Sequence, residues 1–113
     1  MPATDLDLIR GTLDVLILKA LTGGARHGLE VMRWIEGAAR DRLQIEEGAL
    51  YPALHRLEAR DWLESAWGHT DQGRRAKYYR LTPAGRRHLA AEITRWNRYT
   101  QTVNLVLAAE PDR

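Results

Sequence analysis

The 113 residues leave room for one domain with an appended element and for a limited buried core, so an oligomer is plausible from size alone. A hydrophobic fraction of 44% and a charged fraction of 28% exclude a disordered chain, and four Trp with no Phe imply an aliphatic core with a few indoles. A net charge of +2 is too small to announce a nucleic-acid partner, and the lack of cysteine excludes disulfides and thiolate metal sites.

The distribution of charge says more than its sum. Residues 1–47 carry eight acids and six bases, whereas residues 48–113 carry seven acids and eleven bases. The longest apolar run, Val15 to Leu18, is far too short to span a bilayer, and Asp5, Asp7 and Asp14 interrupt any secretory signal. The expectation is a cytoplasmic protein with no membrane partner.

Taken in chain order, Leu13, Leu16, Ile17, Ala20 and Leu21 recur at helical spacing until Gly23-Gly24, which predicts a first helix over Leu6–Thr22. A second helix follows over His27–Arg40, with Met32, Ile35 and Ala39 inward. Leu43–Ile45 is either a short strand or a linker. The third helix spans Glu47–Arg60: Leu50, Leu54 and Leu57 line one face with Ala53 beside them, and Gly48, Ala49, Pro52, His55, Arg56 and Ala59 fall on the other. Pro52 cannot donate to a helical ladder, so a late start or a slight bend is expected there.

Trp62–Trp67 and Ala76–Leu81 alternate as two strands joined by a turn-rich loop over residues 68–73. The second arm of this hairpin carries Arg74, Arg75, Lys77 and Arg80 and no acid. Tyr78 and Tyr79 must point to opposite faces of their strand, one into the core. Thr82-Pro83 reads as an N-cap followed by proline in the first helical position. The last helix, Pro83 to Ala108, is about 40 Å long. On it Leu89, Ile93, Trp96, Thr100, Val103 and Leu107 alternate spacings of four and three, a heptad seam that calls for a partner helix, most simply a second copy.

Three helices followed by a hairpin is the order of a winged helix-turn-helix, mainly α within the α+β class. Residues 1–82 form the expected DNA-binding domain and residues 83–113 the dimerisation helix. The segments GTLDVLILKAL (11–21), HGLEVMRWI (27–35), GALYPALHRLEARDWLESAWG (48–68), GRRAKYYRLTPAGRRHL (73–89) and RWNR (95–98) resemble the PadR family of bacterial transcriptional regulators. The resemblance is to its short subgroup with one carboxy-terminal helix, and the ending RWNRYTQTVNLVL resembles the acidobacterial-type branch.

That resemblance implies a homodimeric repressor of double-stranded operator DNA, assembled through the first and last helices. Leu13, Ile17, Leu89, Ile93, Trp96, Val103 and Leu107 are its expected dimer residues. The third helix would enter the major groove with Gly48, Ala49, Tyr51 and Pro52, and with His55 and Arg56 beyond them. His27 and Gly28 would lie near a phosphate, and Arg74, Arg75 and Lys77 at the wing tip would meet backbone or minor groove. A hydrophobic small-molecule effector held at Trp96 is the further partner the resemblance allows. Two positions depart from the family pattern: Leu29 stands where an aromatic is common, and Asp61 replaces a frequent glycine.

Plainer readings stand beside these. The wing cations can simply solvate a hairpin tip, Tyr51 can pack on the second helix, and Trp96 can fill a closed dimer seam. Glu46-Glu47 suits a helix amino end rather than acid-base chemistry. His27, His55, His69 and His88 lack metal-ligand spacing, and no nucleophile elbow, phosphate loop or dinucleotide fingerprint occurs, so neither an enzyme nor a cofactor is expected. A winged-helix interaction module without DNA binding and a small-molecule-binding protein are the rival functions.

Overall fold

The computed structural model describes residues 11–112. Among these, the chain runs α1 (Thr12–Ala20), β1 (Arg26–His27), α2 (Gly28–Ala38), α3 (Glu47–Ala59), β2 (Leu63–His69), β3 (Arg75–Leu81) and α4 (Pro83–Ala108). This is an α+β winged helix with a long carboxy-terminal helix. The strands form one antiparallel sheet in the order β1-β3-β2.

α1, α2 and α3 enclose a core of leucines, isoleucine and valine. Ile17, Leu18, Val31, Leu50 and Leu54 are fully buried, and β2 and β3 close it with Leu63, Tyr79 and Leu81. Gly11, at φ 88°, sits in the left-handed region immediately before α1. The part of the first helix expected over Leu6–Arg10 lies outside the described residues.

The structure decides one alternative and corrects other expectations in detail. Leu43–Ile45 is a linker rather than a strand, pinned because Leu43 and Ile45 are buried and the Ile45 N–H donates to Glu36 Oε2 at 2.8 Å. Helix α3 begins at Glu47 and runs through Pro52 without a late start. The proline stands on the exposed side, so water can reach the Gly48 carbonyl that lacks its helical donor. The two-residue strand β1 was not expected; it pairs Arg26 with Tyr79 and His27 with Tyr78. Of the two tyrosines, Tyr79 is the buried one.

The wing passes into α4 through a tight corner. Asp61, at φ 60°, takes the left-handed position that ends α3, which explains why glycine would serve there. Its carbonyl accepts from the Thr82 hydroxyl at 2.6 Å, and Thr82 in turn caps α4 by accepting from the Gly85 N–H at 2.9 Å. His88, one turn further on, stacks on Trp62 with centroids 3.5 Å apart. Beyond Leu89 the helix leaves the domain.

Leu13, Ile17 and Leu89, expected at the dimer, are buried in the chain's own core. Ile17 has 0% exposure, Leu89 5% and Leu13 8%, which leaves little surface to offer a second copy. A periodic pattern marks such positions as apolar without saying what covers them.

The corner allows no side chain at Gly85. A Cβ there would stand 2.0 Å from the Trp62 carbonyl oxygen, a backbone atom that also accepts the Thr82 N–H. Gly85→Ala is therefore expected to destabilise the fold by about 3 kcal/mol, lowering the thermal midpoint by more than about 10 °C. A midpoint within about 2 °C of the parent's would reject this account of the corner.

Candidate nucleic-acid interface

Helix α3 presents three sides. Leu50, Ala53, Leu54 and Leu57 face the core, while Gly48, Ala49, Tyr51, Pro52, His55, Arg56 and Ala59 are all exposed. Gly48, Pro52 and Ala59 form a strip of small residues down the middle of that surface. Such a strip lets a helix approach the floor of a groove about 12 Å wide.

Each flank of the strip is tied to a neighbouring element. On one flank Glu58 reaches the wing: its Oε2 accepts from the Ser65 hydroxyl at 2.5 Å and its Oε1 lies 3.4 Å from Lys77 Nζ. The Ser65 hydrogen bond, with the charge of Lys77 behind it, holds the Glu58 carboxyl below its ordinary range, although partial burial works in the opposite direction. On the other flank Arg56 Nη2 donates to Asp14 Oδ1 of α1 at 2.8 Å. Arg56 therefore lies on the α1 side of the helix, apart from the wing.

Between α3, the wing and the start of α2 lies a cleft of about 360 Å³. His27, Tyr51, His55, Trp67, Arg75 and Lys77 line it together with Gly28, Ala76 and Tyr79, and no acidic side chain is among them. Burial raises the Tyr79 phenol above its ordinary range, with the Glu58 charge adding to the effect, so the floor of the cleft stays neutral.

His27 is the N-cap of α2. Its Nδ1 accepts from the Glu30 N–H at 3.3 Å and Glu30 Oε1 accepts from the His27 N–H at 3.1 Å, a reciprocal capping box. Its ring also meets Tyr78 edge-on. Gly28 has a packing role, because a Cβ there would stand 2.7 Å from the Tyr51 ring. Tyr51 thus lies across the start of α2, which was the plainer alternative, while its side chain still opens into the cleft.

In the wing, the turn closes with Thr70 N–H donating to the Arg74 carbonyl at 2.8 Å, so Arg74 is at the tip and Arg75 begins β3. Lys77 is not at the tip. It pairs across the strands with Trp67, on the side turned toward α3. The structure brings His27, Gly28, Tyr51, His55, Arg75 and Lys77 to one cleft. It leaves Arg74 beyond it, Arg56 on the far flank, and Gly48, Ala49 and Pro52 on the open surface.

Trp67 is a candidate that sequence reasoning passed over. It is 60% exposed, and the Arg75 guanidinium carbon sits 4.2 Å from its ring centroid. Its odd-numbered place in β2, two residues from half-buried Ser65 and four from buried Leu63, was the available signal. Further along the chain, α4 exposes Ile93, Trp96, Tyr99, Leu105, Val106 and Leu107, with Trp96 and Tyr99 centroids 6.3 Å apart. Among the described residues no helix is long and apolar enough to cross a membrane, and no three His, Cys, Asp or Glu residues cluster as metal ligands.

Known proteins share this fold. The family model described as the transcriptional regulator PadR-like family matches residues 17–91. An uncharacterised protein of Lysinibacillus sphaericus is 32% identical over 101 residues, covering 89% of this chain and 93% of the relative. A transcriptional regulator from Clostridium thermocellum superposes with a TM-score of 0.78 at 31% identity, covering 88% of this chain and 96% of that one. A PadR family transcription regulator from Clostridium difficile superposes at 0.74 with 28% identity, covering 87% and 100%.

The Glu58 contacts carry a pH signature. A carboxyl whose folded value lies below 4.5 contributes stability fully above that pH and loses it as the pH falls through the folded value. Glu58→Gln should therefore melt below the parent at pH 7, and the gap should narrow as the pH drops below about 4.5. A gap that is constant with pH would mean that the ionised carboxylate contributes nothing to holding the wing.

Proposed function

The chain belongs to the PadR-like family of transcriptional regulators, and from that premise we propose that it is a homodimeric repressor of a pseudo-palindromic operator. It is a regulator of transcription and not an enzyme. The observation that carries the DNA reading is the exposed small-residue strip of α3 beside an acid-free cleft lined by cations and aromatic rings. In this reading the winged-helix unit up to residue 82 meets the duplex. α3 enters the major groove with Gly48, Ala49, Pro52 and His55 toward base edges. Tyr51, His27 and Gly28 stand near backbone at the amino end of α2, where an anion is favoured. Arg74, Arg75 and Lys77 bring positive charge from the wing.

The dimer rests on α4. Its 26 residues extend about 39 Å, and the exposed Ile93, Trp96 and Leu107 lie in register with half-buried Val103. Tyr99 and Val106 widen that stripe on one side, and a face this apolar is stabilised by a second copy. Two linked subunits place their reading helices in successive major grooves, so the half-sites lie about one helical turn apart. A flat hydrophobic effector at exposed Trp96 would act by favouring one angle between the paired helices over another.

Selection of duplexes from random oligonucleotides by the purified protein should return a two-fold symmetric sequence. With roughly four phosphates neutralised per subunit, log affinity should fall against log salt with a slope near −7. A slope shallower than about −2, or equal affinity for every duplex, would sink operator recognition. Replacing Arg74 and Arg75 with Glu should weaken binding to all sequences alike, whereas His55→Ala should also change the bases preferred. Quenching of tryptophan emission by flat hydrophobic compounds should require Trp96; a change that survives Trp96→Ala would remove the effector site from this helix.

A further inference from the structure

The cations around the reading helix fall into two groups. Arg56 is bonded to Asp14 at 2.8 Å, Lys77 to Glu58 at 3.4 Å and Arg80 to Glu64 at 2.7 Å. Arg75 belongs to the other group. Among the described residues no carboxylate or carbonyl accepts a hydrogen bond from its side chain; it lies instead over the indole of Trp67, 4.2 Å from the ring centroid.

The two arrangements leave different chemistry on offer. A carboxylate partner occupies the N–H edge of a guanidinium and offsets its charge. Stacking on an aromatic ring engages the flat face, so the N–H donors and the positive charge still point outward. Arg75 is thus both held in place and available, a combination that none of those three ion-paired cations has.

Trp67 is also placed where that availability matters. It stands opposite Lys77 in the hairpin, and Arg75 stands opposite His69, on the face that continues from core residues Leu63, Tyr79 and Leu81. The stacked pair therefore forms the outer wall of the cleft beside α3. An indole 60% exposed adds little to the core, so its place is not explained by folding.

We propose that Trp67 is a positioning residue that holds Arg75 with its N–H edge toward a backbone phosphate of the strand passing between α3 and the wing. This rests on the DNA-binding reading above and adds to it the means by which one wing cation is pre-ordered. Planar, two-pronged donation to phosphate oxygens is the chemistry a stacked guanidinium retains. Because the side chain is ordered before the duplex arrives, less conformational freedom is lost on binding.

The test is a double-mutant cycle on the full chain, using a duplex selected from random oligonucleotides and a scrambled duplex of equal length. Trp67→Ala should weaken binding by about fivefold, the scale of one cation–π contact, with the thermal midpoint nearly unchanged. Trp67→Phe should restore most of the loss. In an Arg75→Ala background, Trp67→Ala should add less than about twofold, because the residue through which it acts is gone. An undiminished loss in that background would mean that the indole touches DNA itself and would overturn the positioning role. No loss in the parent background would overturn it too. Equal losses on A/T-rich and G/C-rich flanks support the phosphate contact; a loss confined to A/T-rich flanks would move Arg75 to base edges in the minor groove and overturn the phosphate assignment. Failure of the parent protein to bind either duplex would instead remove the DNA-binding reading itself, which separates the two outcomes.

Discussion

The position of the wing against α3 depends on one carboxylate. Glu58 receives the Ser65 hydroxyl from β2 and faces the Lys77 amine from β3, so a single side chain binds both strands of the hairpin to the helix. A hairpin projecting from a domain is otherwise free to pivot about its root, and a pivot of a few degrees displaces its far end by ångströms. Beneath the carboxylate, buried Leu63 and Tyr79 fix the root by packing. Packing alone is non-directional, whereas the Ser65 hydrogen bond sets an angle. The cleft beside α3 keeps its width because these two contacts act together.

The same carboxylate sorts the charges of the wing. By facing Lys77 it offsets the cation nearest the domain and leaves the field of the hairpin to Arg74 and Arg75 further out. On the opposite flank Asp14 does the same for Arg56. A protein with a net charge of +2 can therefore hold a strongly basic region, since its acids are used where cations serve structure. Counting charges along the chain finds the excess of bases after residue 47 but cannot tell which of them are already paired.

That boundary also separates what was legible in the sequence from what was not. The apolar spacing of Leu50, Leu54 and Leu57 gave α3 and its exposed side, and Thr82-Pro83 gave the start of α4, because each signal is local. Strand β1 was illegible: two residues are too few for alternation to register, and Arg26-His27 forms a strand only because β3 lies beside it. Lys77 was expected at the tip because the resemblance groups it with Arg74 and Arg75, whereas β3 starts at Arg75 and places Lys77 two residues into the strand. The Asp14–Arg56 pair spans 42 residues and has no local sign. Ile17 and Leu89 show a related limit: helical spacing identifies an apolar face, and only the tertiary structure shows that the chain buries these positions itself.

The division of α4 into a covered start and a bare remainder has a consequence for how the proposed dimer would work. Gly85 and Leu89 are locked against Trp62 and the core, so the first two turns move with the winged-helix unit as one body. Among the described residues, the exposed stripe from Ile93 onward has no such attachment. In a dimer formed along that stripe, the angle between the two long helices is transmitted directly to the reading helices, because nothing flexible separates Leu89 from the hairpin. Linking two readers rigidly raises the effective concentration of the second once the first has bound, but only at the matching spacing. A small change near Trp96 then acts at the far end of a stiff lever. Affinity for the operator would depend on interhelical geometry as strongly as on any contact to a base.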